Sequence, residues 1–278
     1  MATHRATRQW AIIALLGLAG CASVPGKYSG SVETISQPQI LAYAPFASRE
    51  VTRFEITAEI PEAQEKFTPS LNEIVCERRL TKTADPILAL SVRCNGSPET
   101  RINIFPDGRV ASVPTANAAV STRREVATQE ALENAAAELK ISNPVVSGSP
   151  VFQSSFSVPT GLMPVKLNLK ESARGWTQYQ GRRALLTETF VSLSSEPAGT
   201  VKPLAVGTGY AIRDSQTLAI LRSSITVELS MDLGRSRTLA FPEASGQKRI
   251  VQLPAGGSHL VIRVRAETES SDITATAR

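Results

Sequence analysis

The chain has 278 residues, of which 42% are hydrophobic and 20% are charged, and its mean hydropathy is -0.06. This balance excludes a membrane bundle of apolar helices and an acidic disordered chain, and it indicates one large globular domain or two modest ones. The formal net charge of +5 is too small to indicate a nucleic-acid partner. Aromatic residues make up only 5%, whereas Thr, Ser, Val and Ile are frequent, and this composition favours β-strands.

The N-terminal residues are typical of an export signal. Arg5 and Arg8 precede an apolar run from Trp10 to Leu18. As a helix, this run is too short to cross a hydrocarbon layer of about 30 Å. A secreted or envelope protein is therefore predicted.

The end of the apolar run, Leu18-Ala19-Gly20-Cys21, resembles the bacterial lipobox; a signal peptide with a chance cysteine is the alternative. The resemblance implies that residues 1–20 are removed and that Cys21 carries fatty acyl chains such as palmitate. Two or more such chains hold a soluble domain stably at a bilayer. Ala22 and Ser23 replace the Asp that retains such lipoproteins in the inner membrane, so the resemblance implies an outer-membrane anchor facing the periplasm.

Residues 21–48 are predicted to be a tether, because their first part is rich in Gly, Ser and Pro and lacks hydrophobic periodicity. The two cysteines beyond it, Cys76 and Cys94, are an even pair that an oxidising compartment favours as a disulfide. Two buried free thiols are the alternative. A metal site is not expected, because His259 is the only histidine after Cys21.

The first half of the chain shows four strand patterns: Val51–Ile60, Leu71–Leu80, Ile87–Cys94 and Val151–Val158. Between them, Pro106-Asp107-Gly108 predicts the turn of a β-hairpin, since Pro fixes φ and Gly accepts positive φ. The hairpin's two strands are Arg101–Phe105 and Arg109–Val113. Thr122 and Glu125 then form a capping box before good helix formers, which predicts a main helix over about 123–140.

The second half is more uniformly β. Its strand patterns are Pro164–Leu169, Arg183–Leu193, Leu204–Arg213, Thr217–Met231, Lys248–Leu253 and His259–Ala266. Their succession predicts an antiparallel meander. The predicted fold class is α+β: β-rich, with antiparallel sheets and one main helix, divided into an α+β domain over 49–160 and an antiparallel β domain over 161–278.

The segment from Thr100 to Val158 resembles the C-terminal domain of TonB-type energy transducers. The resemblance rests on Pro106-Asp107-Gly108-Arg109-Val110, on Glu130-Ala131-Leu132 in the expected helix, on Pro144, and on Gly148-Ser149-Pro150-Val151 before a strand. It implies a sheet edge that captures a short extended peptide. The partner-binding residues would be Val151, Gln153, Ser155, Phe156 and Val158.

Catalytic chemistry has little support in the sequence. A serine hydrolase, the third functional hypothesis, would have to be built around His259, whose position in an alternating strand favours an exposed residue instead. No catalytic residue, cofactor or metal ligand is predicted, and neither is an enzyme. Basic residues of the last third predict a positive face for anionic lipid, or else arginines balanced by nearby acids; they are Arg235, Arg237, Lys248, Arg249, Arg263 and Arg265.

The sequence thus predicts a lipid-anchored envelope protein that binds a protein or peptide at an edge strand. The alternative is a carrier of an amphiphile, in which the C-terminal sheet curves into a half-barrel. Its apolar hollow would be lined by Leu221, Ile225, Val227 and Leu229.

Overall fold

The computed structural model describes residues 28, 30–67, 73–95, 99–112, 139–159, 164–193, 203–234, 238–242 and 248–273. Antiparallel β-strands make up most of this part of the chain. The strands are β1 (Phe46–Ile60), β2 (Glu65–Phe67), β3 (Glu73–Ala84), β4 (Ile87–Cys94), β5 (Thr100–Ile104), β6 (Val110–Ser112), β7 (Pro150–Pro159), β8 (Pro164–Tyr179), β9 (Arg182–Leu193), β10 (Pro203–Asp214), β11 (Ile220–Asp232), β12 (Thr238–Pro242), β13 (Lys248–Gln252) and β14 (His259–Asp272).

Twelve of these strands form one sheet, in the order β6-β5-β4-β3-β1-β14-β11-β10-β9-β8-β7, with β2 pairing beside β1. β12 and β13 form a separate hairpin. The long strand β1 pairs with β3 on one side and with β14 on the other. We call β3–β6 the first arm of the sheet and β7–β10 the second arm; β1, β14 and β11 connect them.

The predicted α+β class is wrong, because the described residues contain one 3-10 turn, Pro61–Ala63, and no α-helix. Residues 123–138 of the expected helix lie outside the described residues, and Leu139 and Lys140 are not helical. The backbone there serves nonlocal contacts instead: the Ile141 N–H donates to the Asp107 carbonyl at 2.8 Å. No helix in this part of the chain has the length and apolar character needed to cross a bilayer.

The predicted strands are confirmed, with changes at their boundaries. β1 ends at Ile60 because Pro61 follows. β8 continues to Tyr179, ten residues beyond the predicted end at Leu169. The prediction ended too early because the polar residues from Lys170 onward obscure the alternation of the strand. The short strands β2 and β12 were not predicted.

The predicted disulfide is confirmed. Cys76 of β3 and Cys94 of β4 are direct cross-strand partners with Cα atoms 4.0 Å apart, and their sulfurs are bonded. Both residues are buried with Phe54, Ile74 and Ala266. The disulfide therefore joins two strands of the first arm inside a small apolar cluster.

The predicted hairpin is also confirmed, and its turn has a packing role. Gly108 has a φ of 82°, and its N–H donates to the Phe105 carbonyl at 2.8 Å. A Cβ at this position would lie 1.8 Å from the Leu139 carbonyl oxygen. Glycine is thus required here both for its positive φ and for the close approach of the backbone at 139.

We call the segment 30–45 the strap and residues 139–149 the connector. The strap lies against the connector and against the region where the two arms meet, which we call the base. Glu33 pairs with Trp176 of β8, and Gln39 pairs with Val145 of the connector. The Tyr43 N–H donates to the Pro106 carbonyl at 2.7 Å. Much of the segment predicted as a tether is therefore held in extended form against the sheet.

The main hydrophobic core lies at this base, where the two arms meet. It combines residues of the first arm, the second arm, the strap and the connector, including Leu80, Ile104, Leu41, Ile141, Val151 and Leu185. The sheet must curve to bring its two ends into one cluster. Ile225 and Leu229 are buried on the inner face, but Leu221 packs with Ala184, Leu186 and Ile212 instead, because the β10–β11 register shifts at Ile212/Arg213.

Candidate binding edge and the polar core beside it

β7 is the last strand of the second arm. Along one side it pairs with β8, from Pro150 with Ser172 to Pro159 with Pro164, with a register shift between Pro150 and Phe152. On the other side, the Ser142 N–H donates to the Val151 carbonyl at 2.8 Å. Within the described ranges, no second strand pairs with β7, so this part of the chain gives its edge no strand partner beyond Val151.

The composition of β7 is unusual for a sheet edge. Its ten residues, PVFQSSFSVP, include no charge. Natural edge strands are commonly protected by charged side chains, by shortness or by a cover, since an uncharged edge invites pairing with another chain. The proline at each end limits the length of the edge, and no strand of the described part of the chain covers its middle.

The structure places all five predicted partner-binding residues in this strand. Val151 is fully buried in the core at the base, whereas Gln153 is exposed. Val151 therefore holds the strand in place and is not free to contact a partner. The other three lie opposite β8 residues in register: Ser155 with Asn168, Phe156 with Leu167, and Val158 with Val165.

A buried ion pair fixes β8 and β10 beside this edge. Arg213 Nη2 lies 2.9 Å from Glu171 Oε1, and its Nε lies 3.3 Å from Oε2. Thr187 donates its hydroxyl to Glu171 Oε2 at 2.8 Å. The Arg213 guanidinium also stacks over the Phe152 ring of β7, 4.3 Å from its centroid. The pair therefore holds β7 as well as β8 and β10 in position.

A second buried ion pair lies at the base of the first arm. Arg78 Nε is 2.9 Å from Glu50 Oε2, but the pair lacks an aligned hydrogen bond at that nitrogen. Burial raises the pKa of Glu50, while the positive charge of Arg78 acts in the opposite direction. Burial also raises the pKa of Tyr43 to about 12, so this phenol of the strap stays neutral among the four charged groups.

A small cavity of about 30 Å³ lies between the two pairs, with Tyr43, Glu50, Arg78 and Arg213 in its wall. A space of this size and polarity suits water. Sites for drug-sized ligands measure about 300–1,000 Å³, so this cavity does not fit a lipid. It gives no support to the amphiphile-carrier hypothesis.

Sequence reasoning missed these four charged residues, although a signal for them was present. Glu50 has the same strand parity as the inward residues Phe54, Ala58 and Ile60, and Glu171 has the same parity as Leu167 and Leu169. A charged residue in an inward position of a strand requires a buried partner of opposite charge.

His259 is exposed, as its position in the strand pattern predicted. Its Nδ1 lies 2.8 Å from Glu62 Oε1, and its backbone N–H donates to Oε2 at 3.0 Å. These bonds raise the pKa of His259 and lower that of Glu62. The contact joins the turn after β1 to the start of β14. It contains no serine, so it does not support the serine-hydrolase hypothesis. Among the described residues, no three side chains of the metal-binding types come together.

The basic face expected from Arg263 and Arg265 is balanced by acids. Arg263 pairs with Glu228 at 2.8 Å and with Glu59 at 2.9 Å, and Arg265 pairs with Glu267 at 2.8 Å. The side chains of Arg235, Arg237, Lys248 and Arg249 lie outside the described residues. The described part of this face thus favours the balanced alternative.

No family model matches the chain, and no curated protein matches its sequence. Among solved structures, OmpT, an outer membrane protein of Vibrio cholerae folded in vitro and in its trimer form, is similar at a TM-score of 0.22 and 9% sequence identity. The match covers 81% of this chain and 99% of that chain. A TM-score this low transfers neither a fold nor a function to the chain.

Proposed function

We propose that the chain is a lipid-anchored protein of the cell envelope that captures an extended polypeptide by strand addition at β7. The observation that carries the proposal is the place of β7 at the end of the sheet, with a partner strand on one side only in the described part of the chain. In strand addition, main-chain hydrogen bonds provide affinity and alternate side chains provide specificity.

The lipobox-like motif at Cys21 supports the anchor. Acyl chains at this cysteine keep β7 close to a membrane, facing the periplasm, with the outer membrane favoured by Ala22 and Ser23. A partner is then an envelope protein or peptide with an extended segment. The peptide-capturing edge implied by the TonB-type resemblance agrees with this mode of binding.

The rigidity of the strand also supports the proposal. Val151 and Phe152 are buried at the base, and the Arg213–Glu171 pair fixes β7 through the Phe152 ring. An edge that is held in place before binding loses little conformational entropy when a peptide is added.

The experiment uses peptides displayed on phage, selected against the mature chain, and proline substitutions in β7. N–H groups of neighbouring strand residues point to opposite sides, so one of Ser154 and Ser155 donates towards β8 and the other towards the open edge. We expect the proline that removes the N–H towards β8 to lower the denaturant concentration at the unfolding midpoint. The other keeps the parent's midpoint and binds the peptide about tenfold more weakly, since it lacks one donor of about 1 kcal/mol and adds a ring at the edge.

A matched control is Ala111→Pro in β6, at the other end of the sheet, which should leave peptide affinity unchanged. Undiminished binding by the well-folded β7 variant would contradict the proposal. So would selected peptides that both β7 variants bind as tightly as the parent does, because such peptides bind elsewhere on the chain.

A further inference from the structure

The N-terminal end of the described chain lies on the outer face of the second arm. The Tyr28 hydroxyl is 2.5 Å from Thr177 Oγ1, and its ring lies 5.9 Å from the ring of Tyr210. The Tyr28 ring folds back over Gly30, in space that a Cβ at Gly30 would occupy. The point where the chain leaves the folded body is therefore fixed beside Tyr210.

Cys21 precedes Tyr28 by seven residues. A fully extended chain spans at most about 3.3–3.6 Å per residue, so the sulfur of Cys21 lies within about 25 Å of Tyr28. If Cys21 carries acyl chains, the bilayer surface must lie within this distance of Tyr28. The outer face of the second arm is then the part of the sheet that the anchor brings nearest to lipid.

Among the described residues of β9 and β10, two exposed apolar side chains lie on this face. Phe190 of β9 is 59% exposed, and Val206 of β10 is 52% exposed. Phe190 is opposite Thr208, two residues from Val206, so the two are diagonal neighbours about 7–8 Å apart. Lys170 of β8 lies opposite Phe190 on its other side and is exposed. We call Phe190, Val206 and Lys170 the outer patch.

The charges around the outer patch favour an anionic surface. Among the described residues, two acids of the neighbouring strand positions are already paired, Glu188 with Arg174 at 3.1 Å and Glu228 with Arg263 at 2.8 Å. Lys170 has no ion pair with any residue that the structure describes. An aromatic side chain, an aliphatic side chain and an unneutralised lysine on one face are what the headgroup layer of a bilayer with anionic lipid accommodates.

We propose that the outer patch docks on the bilayer in which Cys21 is anchored, with Phe190 in the headgroup layer. This inference rests on the proposed lipid anchor. Acylation and the patch act as two attachments to the same surface, and docking fixes the orientation of the sheet. Since the patch lies on β8–β10, β7 is held near the membrane surface, where an extended segment of an envelope protein reaches it.

The test uses the chain expressed with its own residues 1–20, so that the cell determines whether Cys21 is acylated, and mixed with vesicles of phosphatidylethanolamine and phosphatidylglycerol. Phe190→Trp places an indole in the patch, and Thr81→Trp is the control, since Thr81 is an exposed residue of β3 in the other arm. The buried Trp176 contributes a background measured on the parent. We expect lipids brominated on their acyl chains to remove about half of the added fluorescence of Phe190→Trp, because a docked side chain reaches about 5–10 Å into the headgroup and acyl boundary. Thr81→Trp should keep its fluorescence.

Flotation of the same vesicles separates the two possible failures. If all variants float but Phe190→Trp is quenched no more than Thr81→Trp, docking is overturned and the anchor stands. If the parent does not float with the vesicles, the anchor is overturned and docking with it. Quenching of Phe190→Trp that persists when Lys170→Glu is added would remove the electrostatic part of the proposal.

Discussion

The two arms of the sheet end differently. The first arm closes with β6, a strand of three residues held by the Gly108 turn, and it contains the Cys76–Cys94 disulfide. The second arm closes with β7, a strand of ten residues without charge. The second arm contains no cysteine. Its strands β8 and β10 are joined instead by the buried Arg213–Glu171 ion pair.

This difference indicates a division of roles. A short, covalently supported edge offers little to pair with, whereas a long, uncharged edge offers a template for a further strand. Under the proposed function, the first arm serves stability and the second serves recognition. The variants below are expected to separate the two arms, beginning with the largest effect.

The largest loss of stability is expected from Arg213→Met in the second arm. Removing one member of a buried ion pair leaves the other charge uncompensated and costs about 3–5 kcal/mol. Arg78→Met should cost less, because Arg78 lacks the two aligned bonds and the ring contact of Arg213. Chemical denaturation measures both.

The double variant Glu171→Leu/Arg213→Met is the control for this prediction. Replacing a whole buried pair by apolar side chains is often close to neutral, so the double variant should recover most of the stability. If the double variant instead loses as much unfolding free energy as the two single variants together, Arg213 acts through packing and not through its charge.

Next in size is the loss of the first arm's disulfide. Cys76→Ser/Cys94→Ser removes a link across 18 residues, which constrains the unfolded chain by about 3 kcal/mol. We expect the denaturation midpoint to fall and the affinity for a selected peptide to stay unchanged, since β7 lies at the other end of the sheet. An equal midpoint for the variant and the parent would refute the first half of this prediction.

A smaller effect distinguishes the turns of the two arms. Gly108→Ala should lower the free energy of unfolding more than Gly181→Ala does. Gly181 lies in the turn between β8 and β9. Both glycines have positive φ, 82° and 76°, and a Cβ there costs about 1–2 kcal/mol. At Gly108 the Cβ also meets the Leu139 carbonyl, while Gly181 has open space. Equal thermal shifts in the two variants would show that the approach of the connector is unimportant.

The smallest effect concerns the contact between His259 and Glu62, which belongs to neither arm. The raised pKa of His259 gives stability that is complete below about pH 6.5 and is lost as pH rises through the folded-state pKa. The lowered pKa of Glu62 gives stability that is present above about pH 4.3 and is lost on acidification. Glu62→Gln should therefore flatten the stability profile above pH 6.5, by no more than the roughly 1 kcal/mol of an exposed pair.

Local patterns predicted the elements better than their arrangement. Alternation located β1, and the turn residues at Pro106–Gly108 located the hairpin, because both depend on neighbours in sequence. Glu171 obscured the continuation of β8, since its burial depends on Arg213, 42 residues away. A register shift at Ile212/Arg213 reversed the expected face of Leu221. The helix expected over 123–140 rested on a capping box, whereas the backbone at Ile141 bonds to Asp107.

For the candidate site, too, local patterns predicted the element but not its place in the fold. The residues of β7 were predicted to form a strand, but its edge position depends on the order of eleven strands, which no local pattern contains. The buried partners of Phe152 and the exit of the chain beside Tyr210 also depend on nonlocal packing.

Amide hydrogen exchange across Pro150–Pro159 tests the central claim most directly, measured on the mature chain with and without a selected peptide. We expect alternate amides of β7 to exchange rapidly in the free chain and to become protected when the peptide binds, while β5 and β6 do not change. Slow exchange of every β7 amide in the free chain, or protection by the peptide elsewhere and not in β7, would contradict capture at this edge.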